Sequence, residues 1–210
     1  MTSAVKIPHL GYMDDINVDN VYQLSRGRKD FTMLSIFIKA VSLALSDYPE
    51  LNSTVNEDVT ELKMRYDHNI GIAMDTPRGL IVPVIPEVQK KSVFDITKEI
   101  NHLKEKGQLG KLGPADLADP TITLSNIGSI GGTYASPIIL PPQVAIGALG
   151  KAKRIPLFET PTSMIIKEAR IMPVSWVADH RVIDGASVAR FSNRFKFFVE
   201  NPIEMLVRMK

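Results

Sequence analysis

Cysteine is absent from the chain. Disulfides and thiolate metal sites are therefore excluded, and no cysteine of this chain can act as a nucleophile. Histidine is scarce: the four are His9, His68, His102 and His180. None stands in an HxxxH-type zinc spacing, so no metal site is expected. No apolar run reaches transmembrane length and no signal-peptide pattern opens the chain, which reads as soluble and intracellular, without a membrane partner. Neither sign of charge is in excess: 25 Lys and Arg face 23 Asp and Glu. That balance argues against a dedicated nucleic-acid binder, although local basic clusters could hold phosphates. Low-complexity linkers and internal repeats are missing too. With 210 residues, 44% of them apolar, the expectation is one domain, residues 1–210, with a substantial core.

Taken in order, a strand is expected near 16–18 and a short helical piece at 21–26. From Phe31 to Leu45 nearly every residue is apolar, Lys39 alone being charged, which predicts one long buried helix ending before Tyr48-Pro49. Leu62, Met64 and Tyr66 alternate with Lys63 and Arg65, the pattern of a half-buried strand. Strands at 69–74 and 80–85 flank the turn Asp75-Thr76-Pro77-Arg78-Gly79, with Pro83 marking an edge or bulge. Ser92 caps an amphipathic helix carrying Val93, Ile96, Ile100 and Leu103, and Gly107 reads as its stop. The nearby Lys104, Lys106 and Lys111 read as a solvated face. Further strands are expected at 121–124, 144–149, 164–167 and 171–178, the last two joined to the preceding one through 155–162. A final helix runs to about Val199. Helices and strands mix without regular alternation, so the fold class is α+β, an open-faced sandwich with a mixed sheet and helices on one side.

Glycine-rich Ser125-Asn126-Ile127-Gly128-Ser129-Ile130-Gly131-Gly132 follows a strand, as phosphate loops do. It lacks the GxGxxG spacing and a following Gly-Lys-Ser/Thr, so it does not read as a nucleotide-triphosphate loop. A stronger signal lies at Val174 to Gly185. An apolar strand ends in Asp179-His180-Arg181, then Asp184-Gly185, and a helical pattern begins. Rigid elements on both sides hold such a turn, and histidine titrates near neutrality, which suits proton transfer. A structural histidine, a helix cap at Asp184 and a surface ion pair at Arg181 are the bland readings of the same residues.

The combination His-x-x-x-Asp-Gly resembles the motif of the CoA-dependent acyltransferases. Its longer form, Asp179 to Gly185, is similar to DHRxxDG in the catalytic domain of the dihydrolipoamide acyltransferases, the E2 cores of 2-oxoacid dehydrogenase complexes. The likeness extends along the chain: Phe37-Ile38-Lys39-Ala40 with Tyr48 to Asn52, Asn69 to Thr76 with Gly79 to Pro83, Thr123 to Gly128, and Pro137 to Gly147. Ser125 to Thr133 and Pro141 to Gly150 resemble the branched-chain branch most. A pyruvate-branch acetyltransferase, a chloramphenicol acetyltransferase sharing HxxxDG and a non-catalytic structural core are the alternatives. In the family a longer helix and loop precede the long helix; here Leu24 to Arg28 reaches Phe31-Thr32 quickly, as a short variant or a chain missing residues would.

The resemblance implies a chloramphenicol-acetyltransferase-like fold and acyl transfer between the thiols of dihydrolipoamide and CoA. It makes His180 the base, Ser125 the oxyanion donor, and Asp184 a motif residue that holds the loop through Arg181 or another arginine. Positions matching the family's CoA contacts are Arg26, Thr32, Asp75, Ser125, Asn126, Ser129 and Gly150. CoA is a substrate, no metal is needed, and the lipoyl group arrives on a separate lipoyl domain. That domain and a subunit-binding domain precede the core in full-length members, so a truncated core is implied. Further implications are a homotrimer that can build a 24-subunit cage through the apolar tail Ile203 to Lys210, E1 and E3 components as partners, and a mitochondrial matrix or bacterial or archaeal cytoplasmic location.

Overall fold

The chain's computed structural model describes residues 6–160 and 162–209. Pro161 and Lys210, which fall in stretches read above, lie outside the described residues. In chain order the elements are β1 (His9–Asn17), α1 (Asp19–Ser25), α2 (Met33–Asp47), β2 (Ser53–Val55), β3 (Leu62–Met64), β4 (Ile70–Thr76), β5 (Gly79–Ile81), β6 (Val84–Ile85), α3 (Val93–Gln108), β7 (Ile122–Asn126), β8 (Ala145–Leu149), β9 (Lys153–Phe158), β10 (Ile166–Asp179), α4 (Gly185–Glu200) and α5 (Pro202–Arg208). The main sheet runs β1-β10-β8-β7-β4-β5, with β9 beside β10 and β6 beside β4. Strand β7 is parallel to β4 and β8, and the remaining pairs are antiparallel. The mixed sheet of an α+β fold is thus present.

Alternation along the strands assigns the two faces. Met172, Val174, Trp176 and Ala178 of β10 join Leu124 of β7 and Ile70, Ile72 and Met74 of β4 in one core with the apolar faces of α2, α3 and α4. Trp176 lies edge-on to Phe191 and Phe195 of α4, with ring centroids 4.8 and 5.4 Å away. Each such ring, once buried, contributes on the order of 2–3 kcal/mol. The opposite face is covered in another way. There the irregular 127–143 chain lies over the strands: Ala135 N–H donates to Ser175 Oγ, Thr123 Oγ donates to Gln143 Oε1, and Ile139 packs with Ile7, Ile146 and Val177.

Caps mark where the helices begin. Thr32 and Ser35 form a capping box on α2, and Ser92 and Asp95 form one on α3. Lys39, the one charge in the apolar run, is buried, and its Nζ donates to the carbonyls of Val88, Gln89 and Lys91 at 3.1, 3.2 and 2.8 Å. Burial lowers its pKa, and the three carbonyls replace water as its partners.

Several expectations change. The long helix starts at Met33, since Thr32 is its cap. Residues 164–167 and 171–178 do not form two strands: β10 is continuous from Ile166. Its polar stretch Lys167 to Arg170 pairs with β9 in a ribbon beyond the helix-covered sheet, where charged side chains keep their water. Strand β9 lies in what read as a connection. Gly107 does not stop α3, which continues to Gln108 with Gly107 buried inside. Strand β3 is short and exposed rather than half-buried.

Candidate active site

The turn after β10 is closed by its own backbone. The carbonyl of Asp179 accepts the N–H groups of Val182 and Ile183 at 3.1 and 2.9 Å, and His180 N–H donates to Pro8 O at 2.9 Å. The exposed His180 ring places Nδ1 3.1 Å from the carbonyl oxygen of Ile183. A carbonyl only accepts, so Nδ1 carries the proton and Nε2 keeps a free lone pair. That is the tautomer a general base needs.

Asp184 takes the helix-cap place, one of the two readings of this residue, and not the arginine bridge. Its carboxylate caps α4, accepting Ser187 N–H at 2.7 Å, and this hydrogen bond holds its carboxyl below the usual range. Arg181 is paired with Asp179 instead, Nη2 to Oδ2 at 2.6 Å. The loop is therefore held by a helix cap and a separate ion pair, not by an Asp184–Arg181 bridge. The physical reason is local: Asp184 immediately precedes the free N–H groups of a helix.

Ser125 is half-buried near the end of β7, on the face opposite its neighbour Leu124. Among the described residues its hydroxyl has no hydrogen-bond partner. With Asp75, Asn126 and Ser129 it lines a cavity of about 460 Å³ at the carboxyl ends of β4 and β7. Asn126 Oδ1 accepts Gly128 N–H at 3.1 Å and shapes the loop. Arg26, Thr32 and Gly150 do not line this cavity. Arg26 ends α1, Thr32 caps α2, and Gly150 packs behind the loop. A Cβ on Gly150 would lie 2.1 Å from the carbonyl oxygen of Thr133, so only glycine admits that approach. Leu34, Lys104, Gly107 and Gln108 also form the cavity wall and were not anticipated. A glycine inside an amphipathic helix was the available signal, because it costs about 1 kcal/mol there without a packing reason.

His180 and Ser125 lie at opposite ends of the sheet. Ser125 is level with Ala148 of β8, and Ala148 with Ser175 of β10. His180 lies five residues further along. At roughly 3.3 Å per residue and 4.8 Å per strand spacing, the two Cα atoms are about 19 Å apart. No rotamer of either side chain closes that distance.

Among the described residues no group of three or more His, Asp or Glu is placed to hold a metal ion, and no helix is long and apolar enough to cross a membrane.

Residues 1–207 match the family model described as 2-oxoacid dehydrogenases acyltransferase (catalytic domain). The chain belongs to this family. It is 50% identical to the Caenorhabditis elegans mitochondrial lipoamide acyltransferase component of the branched-chain alpha-keto acid dehydrogenase complex, covering all of this chain and 48% of that protein. A Staphylococcus epidermidis acetyltransferase component of the pyruvate dehydrogenase complex is 36% identical over 95% of this chain and 47% of its own length. The chain thus spans about half the length of the curated relatives it matches. With the worm protein the alignment runs over 218 positions against the 210 residues here.

Among solved structures, the Azotobacter vinelandii dihydrolipoamide acetyltransferase superposes with a TM-score of 0.92 at 30% identity, covering 98% of this chain and 86% of that one. It was solved to examine a serine, a histidine and, four residues further on, an asparagine in its catalytic mechanism. The cubic core of a pyruvate dehydrogenase complex gives 0.89 at 31% identity, covering 98% and 86%. A chloramphenicol acetyltransferase shares the fold, with a TM-score of 0.63 at 16% identity over 92% of this chain and 89% of its own.

Proposed function

We propose that the chain is the catalytic domain of a dihydrolipoamide acyltransferase that moves an acyl group between dihydrolipoamide and CoA. The observation that carries this reading is the His180 imidazole, exposed, with its proton on Nδ1 and its Nε2 free. A thiol of pKa about 8.5 is only slightly ionised near neutrality and attacks a thioester slowly. His180 Nε2 takes the proton from the CoA thiol, and the sulfur adds to the thioester carbonyl. The oxyanion that forms accepts a hydrogen bond from Ser125 Oγ. Collapse breaks the bond to the dihydrolipoamide sulfur, which recovers the proton from the imidazolium. The histidine ends as it began.

The separation of His180 and Ser125 supports a joint site, with the histidine of one subunit facing the serine cavity of the next. A homotrimer supplies that arrangement. Exposed Ile203, Leu206 and Val207 on α5, beside buried Met205, give a further apolar contact by which trimers join in a cubic 24-subunit cage. The higher identity to the branched-chain relative than to the pyruvate one favours a branched-chain acyl group. The lipoyl group comes on a separate lipoyl domain, E1 and E3 components complete the complex, and the location is a mitochondrial matrix or a prokaryotic cytoplasm. Asp75, Asn126 and Ser129 contact CoA in the serine cavity, while a CoA contact at Arg26, Thr32 and Gly150 rests on the family resemblance alone.

An acyl-transfer assay with acetyl, isobutyryl and succinyl donors tests the reading, with preference for isobutyryl expected. His180→Ala is expected to lose about 10²–10⁴ in rate with the fold intact, because the exposed ring makes one hydrogen bond. Wild-type turnover in that variant at neutral pH would remove His180 as the base.

A further inference from the structure

Beside the catalytic histidine lies a charge that the transfer chemistry does not use. Asp179 is 0% exposed, and among the described residues every hydrogen bond to its carboxylate comes from Arg181. Oδ1 accepts Arg181 N–H at 3.0 Å and Nε–H at 2.9 Å, while Oδ2 accepts Nη2–H at 2.6 Å and Nε–H at 3.2 Å. The guanidinium side chain is 26% exposed. A buried carboxylate with a single partner depends on that partner, since removing it leaves an uncompensated charge. The same two residues bound the turn. The Asp179 carbonyl holds Val182 and Ile183, Ile183 is buried, and the Ile183 carbonyl accepts from His180 Nδ1.

We propose that Arg181 is a positioning residue for His180: by clamping the buried Asp179 carboxylate it keeps the 179–183 turn in the geometry that holds the imidazole proton on Nδ1. The proposal rests on the acyl-transfer reading above for its kinetic consequence, but not for its structural one. The planar fork of arginine meets both the carboxylate oxygens and its own backbone in one arrangement, which a lysine ammonium does not reproduce. Without the clamp the turn opens to bring water or solvent counter-charge to Asp179, and the Ile183 carbonyl leaves the ring. Nε2 then carries the proton part of the time and is lost as a base.

The full chain with Arg181→Met, Arg181→Lys and the double change Asp179→Asn with Arg181→Met provides the test. Steady-state kcat and the KM values for CoA and the acyl donor are measured, together with ¹⁵N NMR of labelled histidine, which distinguishes Nδ1–H from Nε2–H at His180. For Arg181→Met, kcat is expected to fall about tenfold or more with both KM values within about twofold of wild type. The Nδ1–H signature should be replaced by a tautomer mixture. Arg181→Lys should recover part of kcat, and the double variant should exceed Arg181→Met because no bare carboxylate stays buried. Unchanged kcat and tautomer in Arg181→Met would overturn the proposal. So would a rise in donor KM at unchanged kcat, which would make Arg181 a substrate contact from the adjoining cavity of about 450 Å³ that it lines with Ile7, Val55 and Gln143. If Arg181→Met does not fold, Arg181→Lys decides: a fall of severalfold in kcat with tautomer mixing supports the clamp, and wild-type values in both refute it. A wild-type chain without transferase activity would fail the functional reading, while the NMR comparison would still judge the clamp.

Discussion

Acid should destabilise this fold well before its carboxylates titrate, through His68. The ring is 5% exposed, and its Nδ1 lies 2.8 Å from Ser42 Oγ. Burial pulls its pKa from 6.5 to about 4; nearby Asp67 raises it somewhat and Lys39 lowers it. Between those values the unfolded chain binds a proton that the folded chain refuses, so stability rises with pH through the window. The full contribution is present above pH 6.5 and is lost as pH falls towards 4. Integrating the two titrations gives a loss of about 2 kcal/mol at pH 5 and about 3 kcal/mol at pH 4. With a urea slope of about 1–3 kcal/mol/M, the first figure is a midpoint shift of about 1 M. The perturbation is His68→Asn, which keeps a polar partner for Ser42 and removes the titration. Urea unfolding of both proteins from pH 7.5 to 4.5, at one protein concentration because self-association adds to stability, isolates the effect as a difference. Asp67 and Asp119, held low by Arg65, lose their contribution at lower pH and cancel in the comparison. From pH 7.5 to 4.5 the stability of the wild type should fall by about 2.5 kcal/mol more than that of the variant. Parallel curves for the two proteins would refute a neutral, buried His68.

Ser125→Ala should lower kcat by about 10²–10³ with little change in the KM for CoA, read from steady-state kinetics; a large KM rise at unchanged kcat would make the serine a binding residue only. Leu206→Glu with Val207→Glu leaves buried Met205 in place and should stop assembly beyond the trimer while most activity remains. Sedimentation and mass photometry report the size, and intact cages from the doubly charged variant would move the inter-trimer contact elsewhere. A stable, active monomer of the unaltered chain would overturn the shared site of His180 and Ser125.

Much of the fold was legible because burial on a regular element leaves a periodic trace. The apolar run after Phe31, the heptad-like stripe Ile96, Ile100, Leu103, and Val188, Phe191, Phe195, Phe198 all became the helix faces of one core. Caps at Ser92 and Asp184 were readable because they act within three residues of themselves. Where polar residues interrupted a strand, as at Lys167 to Arg170, the pattern broke although the strand did not, since hydrogen bonds to β9 carry no side-chain signature. Gly107 failed as a stop for a related reason. It lies on the buried face of α3 beside Thr76, a neighbour 31 positions away in the chain, where a Cβ would fall at the ordinary contact distance of 3.4 Å from Thr76 Cγ2.

The sequence by itself determined the chemistry available to the chain: a histidine with a titratable ring, a serine on a glycine-rich loop, and a family whose motifs both residues match. These are properties of residue type and short-range order. Only the tertiary structure decided which groups meet. Sheet register placed Ser125 and His180 at opposite ends of one subunit, and burial at the end of β10 left Asp179, among the described residues, with Arg181 as its donor. The first depends on strand order and the second on exclusion of water, and neither is a function of spacing along the chain.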